Sequence, residues 1–317
     1  ISAPDIVICQ SYTLPVLTIG DYYSEPNGTG TKYLAGESIN TSQKLYIYAM
    51  SNTNSGCVSQ DDFAITIYPL KDLQLKNGVI CVDYKTNALL KPALLNSGLN
   101  SNNYTVDWFL DGSKISTGST YSAIKEGTYT VVPTKTTTNI GDDCGYNSTT
   151  VNVEKSSPAI ATVTVTDAFE DKIDIIVNLT HGLGIYEYQL DDGNFQTQNI
   201  FHDVSSGQHT IAIIDVMGNC DNQVLIANVL KYPKFFTPNN DGFNDTWNIT
   251  DLAFQPDAVI NIFDRYGKLI KQLSPSGPGW DGNYNGGPLP SSDYWFQTFY
   301  TQNGISQVFK SHFSLKR

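Results

Sequence analysis

Through much of the chain apolar and polar residues alternate one for one. That is the spacing of a strand with one face on a core and the other in water, not the three-to-four spacing of a helix. In "YTVDWFLDGSKISTGSTYSAIKEGTYTVVPT", residues Tyr104 to Thr134, it predicts a strand, an Asp-Gly turn, a second strand and a glycine-punctuated third, with Trp108 and Leu110 on one inward face. "YEYQLDDGNFQTQNIFHDVSSGQHTIAIID", Tyr186 to Asp215, repeats that plan with Tyr188 and Leu190 inward. Strand signals recur about every ten residues, which makes the chain all-β and a small antiparallel sandwich its predicted unit.

The units repeat. "DIVICQSYTLPVL" from Asp5 matches "NGVICVDYKTNALLKPAL" from Asn77 in an Ile-Cys and in a Tyr three residues past the cysteine. Near the far ends, "GCVSQDDFAITIYP", "CGYNSTTVNVEKS" and "GNCDNQVLIANVLKYP" each set a cysteine before an alternating strand that runs into a linker. Four modules follow: 1–69, 70–155, 156–230 and 231–317. The five cysteines, at 9, 57, 81, 144 and 220, fit no compact metal-ligand spacing and are expected to form disulfides in an oxidising compartment. The repeat predicts Cys9–Cys57 and Cys81–Cys144, each tying an early strand to a late one. It leaves Cys220 over, as a buried free thiol or as half of an intermolecular bridge.

From Tyr232 the character changes. "VINIFDRYGKLIKQL" predicts two strands around an Asp264–Gly267 connection, and "GWDGNYNGGPLPSSDYWFQTFY" a turn, a loop and an aromatic strand. In the last strand, "ISQVFKSHFSLKR", Phe309, Phe313 and Leu315 share one face, and Lys310, His312, Ser314 and Lys316 the other. The segment opens on "TPNNDG". Asn239, Asp241, Asn244 and Asp245 offer oxygens around Gly242 as a calcium loop does, yet Thr237 stands at the first ligand position of that register and Asn248, not a bidentate Glu, at the twelfth. The other reading is a tight turn in which Pro238 fixes φ, Asn and Asp side chains cap local amides, and Gly242 takes a positive φ.

Composition narrows the function. A net charge of -12 argues against nucleic acid, which calls for a cationic surface. The acid is concentrated in 156–230, at -9, against +1 for 231–317; a cation bound near Asp191 and Asp192 is the sharper reading of that excess and a solvated surface the plainer one. No apolar run approaches the roughly 18 to 20 residues that cross a bilayer. The opening "ISAPDIVICQ", without an initiator Met or signal peptide, is expected to be the continuation of a longer or processed protein. No nucleophile elbow, zinc-protease helix, P-loop or complete dinucleotide fingerprint is present. The paired acids Asp142-Asp143 and Asp191-Asp192 stand in turn contexts, and His202 and His209, which flank a predicted turn, are expected at the surface. Trp247, Trp280, Tyr284, Tyr294 and Trp295 could stack on sugars, but Trp280 and Trp295 are expected in the core.

Taken in order, "YPKFFTPNNDGFNDTWNI", "IFDRYGKLI", "GWDGNYNGGPLPSSDYWF" and "HFSLKR" resemble the gliding motility-associated C-terminal domain, the type B sorting domain of the type IX secretion system of Bacteroidota. The upstream modules resemble PKD-like and SprB-repeat-like immunoglobulin-type domains of bacterial surface proteins. The resemblance implies four immunoglobulin-like sandwiches and export through the periplasm to the cell surface or medium. It also implies recognition by the translocon and a PorP/SprF-type outer-membrane protein. The residues it points to are Thr237, Pro238, Asn239, Asn240, Asp241, Gly242, Asn244 and Asp245, with Arg265, Lys310, His312, Lys316 and Arg317. The expected role is that of a non-catalytic, adhesin-like surface protein. The alternative is a carbohydrate-binding accessory region of a polysaccharide-degrading enzyme, with surface glycans as ligands.

Overall fold

A computed structural model describes residues 3–51, 56–136 and 144–317. Among them strands dominate, and the helical turns are two short 3-10 segments. The acid pair Asp142-Asp143 lies outside the described residues. The chain divides into two compact units, Ile1–Ile80 with Pro92–Glu154, and Cys81–Lys91 with Lys155–Arg317.

In the first unit, one sheet runs in the order Ile6–Cys9, Val58–Tyr68, Gln43–Met50, Asp21–Glu25, Thr29–Tyr33. Its inward residues Leu45, Ile47, Phe63 and Ile65 pack with Leu14, Tyr22 and Ile39. A second sheet of this unit has Ser113–Thr117, Tyr104–Leu110 and Gly127–Lys135 as neighbours in that order. The alternation there holds: Tyr104, Val106 and Trp108 are buried, and the Trp108 indole donates to the carbonyl of Gly118 at 2.8 Å.

The disulfides depart from the expected pairing. The bonds are Cys9–Cys144 and Cys81–Cys220; Cys57, exposed, belongs to neither. Cys9–Cys57 fails on register. Ile6–Cys9 lies parallel to Val58–Tyr68 with Cys9 opposite Tyr68, so Cys57 sits beyond the other end of an eleven-residue strand. That separation is about 35 Å, against the 4.4–6.8 Å between Cα atoms that a disulfide spans. Cys9 is instead brought to Cys144 by the linker after the strand. Gln10 N–H donates to Tyr68 O, Lys71 N–H to Gly145 O, and Asn147 N–H to Lys71 O, so residues 68–71 hold both cysteines close. Cys144 is thereby taken from Cys81. In the second unit Cys81 pairs opposite Lys91, whose carbonyl accepts from Asn219 and whose ammonium binds Asp221. This places the Cys220 turn beside Cys81, and Cys220 is neither a free thiol nor an intermolecular partner. The cysteines do stand as the repeat has them, Cys9 and Cys81 in early strands and Cys57, Cys144 and Cys220 just before late ones. The bonds, however, cross the expected module boundaries at 69 and 155.

The second unit continues with two three-stranded sheets, Ile160–Val165, Ile175–His181, Ile200–Phe201 and Tyr186–Leu190, Gly207–Asp215, Gln223–Val229. Their inner faces share one core that includes Ile173, Ile175, Val177, Ile211, Ile213 and Val229. A five-stranded sheet follows in the order Phe235–Phe236, Ile305–Leu315, Ser292–Gln302, Val259–Phe263, Leu269–Leu273. Its core reaches back before Tyr232. Phe169, at a φ of 68°, sends its ring onto Tyr232, Tyr300 and Phe309 at centroid distances of 6.0, 5.2 and 4.5 Å, while its N–H donates to Leu230 O.

Two results are expected. Peptide mapping of the unreduced full chain recovers Cys9 with Cys144 and Cys81 with Cys220; fragments linking Cys9 to Cys57 would refute the arrangement. Each loop, of 135 and 139 residues, contributes about 5 kcal/mol in the chain-entropy model. Phe169→Ala, which empties a site 4 % exposed, costs about 3–5 kcal/mol, read as a lower urea midpoint of the second unit.

Candidate functional site

The five-stranded sheet is built around aromatic rings. Along Ser292–Gln302 the buried residues are Tyr294, Phe296, Thr298 and Tyr300, and Tyr294 faces Phe313 of the terminal strand. Two tryptophans from the connecting loops close over this face, both fully buried. Trp247 lies flat on Phe313 at 3.8 Å and 10°, and Trp280 meets Tyr294 edge-on at 4.9 Å. Each indole N–H is satisfied, Trp247 to Pro233 O and Trp280 to Asn283 O, and the two residues exchange backbone hydrogen bonds of 2.9 Å. A buried ring with its polar atom paired gives up little for its desolvation.

The opening motif is fastened to the end of the chain. Phe235–Phe236 runs parallel to Ser314–Leu315, with Ser314 N–H to Lys234 O and Lys316 N–H to Phe236 O. The TPNNDG loop leaves directly from this pairing and closes through Thr237 N–H to Asn244 O. Its carboxylates point inward. Asp241 accepts from Phe243 N–H and the Asn239 amide, and Asp245 from Asn240 N–H and Gly242 N–H at 2.6 and 2.7 Å. Asn240, Gly242 and Asn244 take φ values of 67°, 89° and 52°, a conformation Asn and Gly tolerate best. The Phe243 N–H, and next the Asn239 amide, hold the Asp241 carboxyl below its ordinary value.

Lys310, His312 and Lys316 are exposed on the outward side of the terminal strand, and Lys316 stands 4.4 Å over the Phe235 ring. Both arginines reach the start of the neighbouring strand: Arg265 donates to Ser292 Oγ, and Arg317 N–H to Ser291 Oγ. The Arg317 guanidinium also donates to the carbonyls of Leu289 and Gly282. Terminal strand, opening loop and arginines therefore belong to one sheet and its borders.

Trp295 is the exception to the expected aromatic core: it is 42 % exposed, because Tyr294 and Phe296 on either side already point inward. It belongs to a pattern the sequence reading missed. Across the outward face, Leu269, Phe263, Trp295 and His312 form one row; Gln272, Asn261, Gln297 and Lys310 the next; Val259, Phe299 and Val308 a third. Two apolar rows thus flank a polar one. His209 also departs from expectation. It is buried, with Nδ1 2.7 Å from Asp191 Oδ2 and Nε2 3.0 Å from Ser205 O, and the contact with His209 is the main reason the Asp191 carboxyl is held low. His202 stays exposed against Asp174. Asp191 therefore serves a hairpin. Among the described residues no cluster of three or more His, Cys, Asp or Glu side chains is placed to hold a metal ion.

Residues 230–314 match the CHU_C type IX secretion signal domain, so this segment is a secretion signal of the type IX system, and the protein is exported to the cell surface or beyond. A comparison with curated proteins finds no match. Among solved structures the chain is similar to the chicken CNTN1 FN1–FN3 domains, with 9 % identity over 66 % of this chain and 90 % of that one and a TM-score of 0.30. A Bacteroides ovatus glucan-utilisation protein, SGBP-B, in complex with a mixed-linkage heptasaccharide gives 16 %, 98 %, 87 % and 0.19. A Ca2+-stabilized adhesin with which an Antarctic bacterium binds ice gives 10 %, 98 %, 96 % and 0.21. Among the described residues no helix is long and apolar enough to cross a membrane.

The Asp241 carboxyl, followed by NMR, should titrate below its ordinary 3.8. Because the folded value is depressed, the loop's contribution to stability is complete above that ordinary value and is lost as pH falls through the lowered one. A midpoint at or above 3.8 would show that the loop does not close as described.

Proposed function

We propose that residues 231–317 are a folded, non-catalytic secretion address read by a PorP/SprF-type outer-membrane partner of the type IX translocon, and that residues 1–230 are adhesin-like stalk modules displayed by it. Beyond the secretion-signal match, the observation that carries this reading is the open edge of the terminal strand. Ser314 and Lys316 turn their amides away from the Ser292–Gln302 neighbour, so the alternate residues Ser306, Val308 and Lys310 do the same. Phe235–Phe236 covers only Ser314–Leu315, and among the described residues no backbone group pairs with the outer side of 306–310. Such an edge accepts a strand from a partner through main-chain hydrogen bonds.

Around that edge the residues named for recognition divide by role. Lys310, His312 and Lys316 give the strand a cationic outer side, and Arg265 and Arg317 anchor the sheet end next to it. The turn from Thr237 to Asp245 shapes the border of the surface. Its oxygens, which a calcium ion would take from Asn239, Asp241, Asn244 and Asp245, support a hydrogen-bonded turn, because Asp241 and Asp245 already accept amide hydrogens. In this reading the address works by shape and pairing, without chemistry and without a resident cofactor.

The full chain is tested in a type IX-competent Bacteroidota strain with its matching partner. Removal of residues 231–317 abolishes export; export without them would overturn the reading. Lys310→Pro, which deletes one outward amide at a position where an edge strand tolerates proline, lowers export at least about tenfold relative to Lys310→Ala. Equal export of the two variants would remove strand addition. A glycan array probed with the full chain separates stalk from carbohydrate-binding region, since strong selective binding by the upstream modules supports the second.

A further inference from the structure

We infer that the address is also read on the outward face of its sheet, where a partner seats an apolar anchor against Phe299 and Val308 and places carboxylates at Lys310 and Lys316. This rests on the reading of residues 231–317 as a secretion address. The face is unusual for water. Leu269, Trp295, Phe299 and Val308 are 49, 42, 42 and 54 % exposed on one side of one sheet, where a solvated strand face carries polar residues. The cross-strand rows set Leu269 and Trp295 in one apolar strip and Phe299 and Val308 in another, and the amides of the polar row between them are organised, with Gln272 Nε2 donating to Asn261 Oδ1 at 3.0 Å. Apolar strips with interleaved donors and acceptors, one of them carrying an exposed Trp, are the make-up of a protein interface core and its anchor residues.

One end of the face opens into a groove of about 590 Å³, lined by Phe299 and Val308 on the sheet and by Pro256 and Ala258 on the loop before it. The groove is held open by a clamp. Gln255 donates through Nε2 to Thr301 O at 2.8 Å and accepts through Oε1 from Thr301 N–H at 2.7 Å, imitating a strand pairing. A preformed groove spares a partner the cost of ordering it.

Charge sets the occupant and its direction. The whole chain is strongly acidic, yet this face carries Lys310 in its middle row and Lys316 past the row of Trp295 and His312. The acid on the Lys316 side, Asp293, accepts from the hydroxyl of Ser314 at 2.6 Å. Asp257 stands at the groove end. The complementary surface is a protein with carboxylates facing the lysines and a large apolar side chain entering the groove. Complementary charge of this kind selects the partner and speeds docking, while the buried anchor holds it.

The test compares export of the full chain carrying Phe299→Glu, Val308→Glu or Lys310→Glu with that carrying Ile226→Glu, an equally exposed apolar residue upstream at 57 %. Expected is a loss of at least about tenfold for the first three, none for Ile226→Glu, retention by Lys310→Arg, and thermal midpoints of the purified variants close to that of the parent. Normal export of Phe299→Glu and Val308→Glu sinks the inference while leaving the secretion reading intact. Failure of the parent chain to be exported sinks that reading instead. Two results assign the face to other occupants and overturn the proposal: a dimer in light scattering that Val308→Glu dissociates, and glycan-array binding that Trp295→Ala abolishes.

Discussion

The contact of Trp247 with Phe313 is the one on which the address depends. A five-stranded sheet with a single covered face is stable only if that face is fully dried. The cover here is loop, not a second large sheet. Loop backbone over a core must satisfy its own polar groups, and the two tryptophans manage this by bonding their indoles to nearby carbonyls and their backbones to each other. Because Phe313 lies on the terminal strand and Trp247 follows the TPNNDG turn, the same stacking that dries the core brings the first and last motifs of the segment together. The outward face and the open edge inherit their positions from that one interior contact.

The sheet shows how a surface can be specified by what it leaves exposed. Period-two alternation sends Tyr294, Phe296 and Tyr300 inward, and the intervening positions, Trp295 and Phe299, are aromatic as well. Burial on one side does not require aromatics on the other, and exposed ones lower solubility. Their cost is borne on a face that also has a groove and two lysines, and the combination is one that recognition uses.

Much of this was legible in the residues. Alternation located the strands of Tyr104–Thr134, four where three were expected, of Tyr186–Asp215 and of the terminal hairpin, and Gly242 in "TPNNDG" announced its positive φ, while those of Asn240 and Asn244 were not foreseen. Trp295 was legible too, because placing Tyr294 inward forces its neighbour outward; aromatic character prevailed over alternation in the expectation, and alternation decides in the structure. The disulfides were not legible. Which cysteines meet depends on the parallel register of Ile6–Cys9 against Val58–Tyr68, a long-range pairing that similarity between repeats cannot reveal. His209 was missed because burial of a polar ring depends on finding partners, and Asp191 and Ser205 O lie in separate turns.

The two disulfides interleave, since Cys81 lies inside the loop closed by Cys9–Cys144 and Cys144 inside the loop closed by Cys81–Cys220. For a chain under tension this is a matter of contour length. The shortest covalent route from Cys9 to Cys220 crosses to Cys144, runs backward to Cys81 and crosses again, through roughly 60 residues in place of about 210. At roughly 3.5 Å per residue the reach of that stretch falls from about 700 Å to a little over 200 Å even if every sheet in it is torn open. A chain wired in this way yields under load without paying out its length.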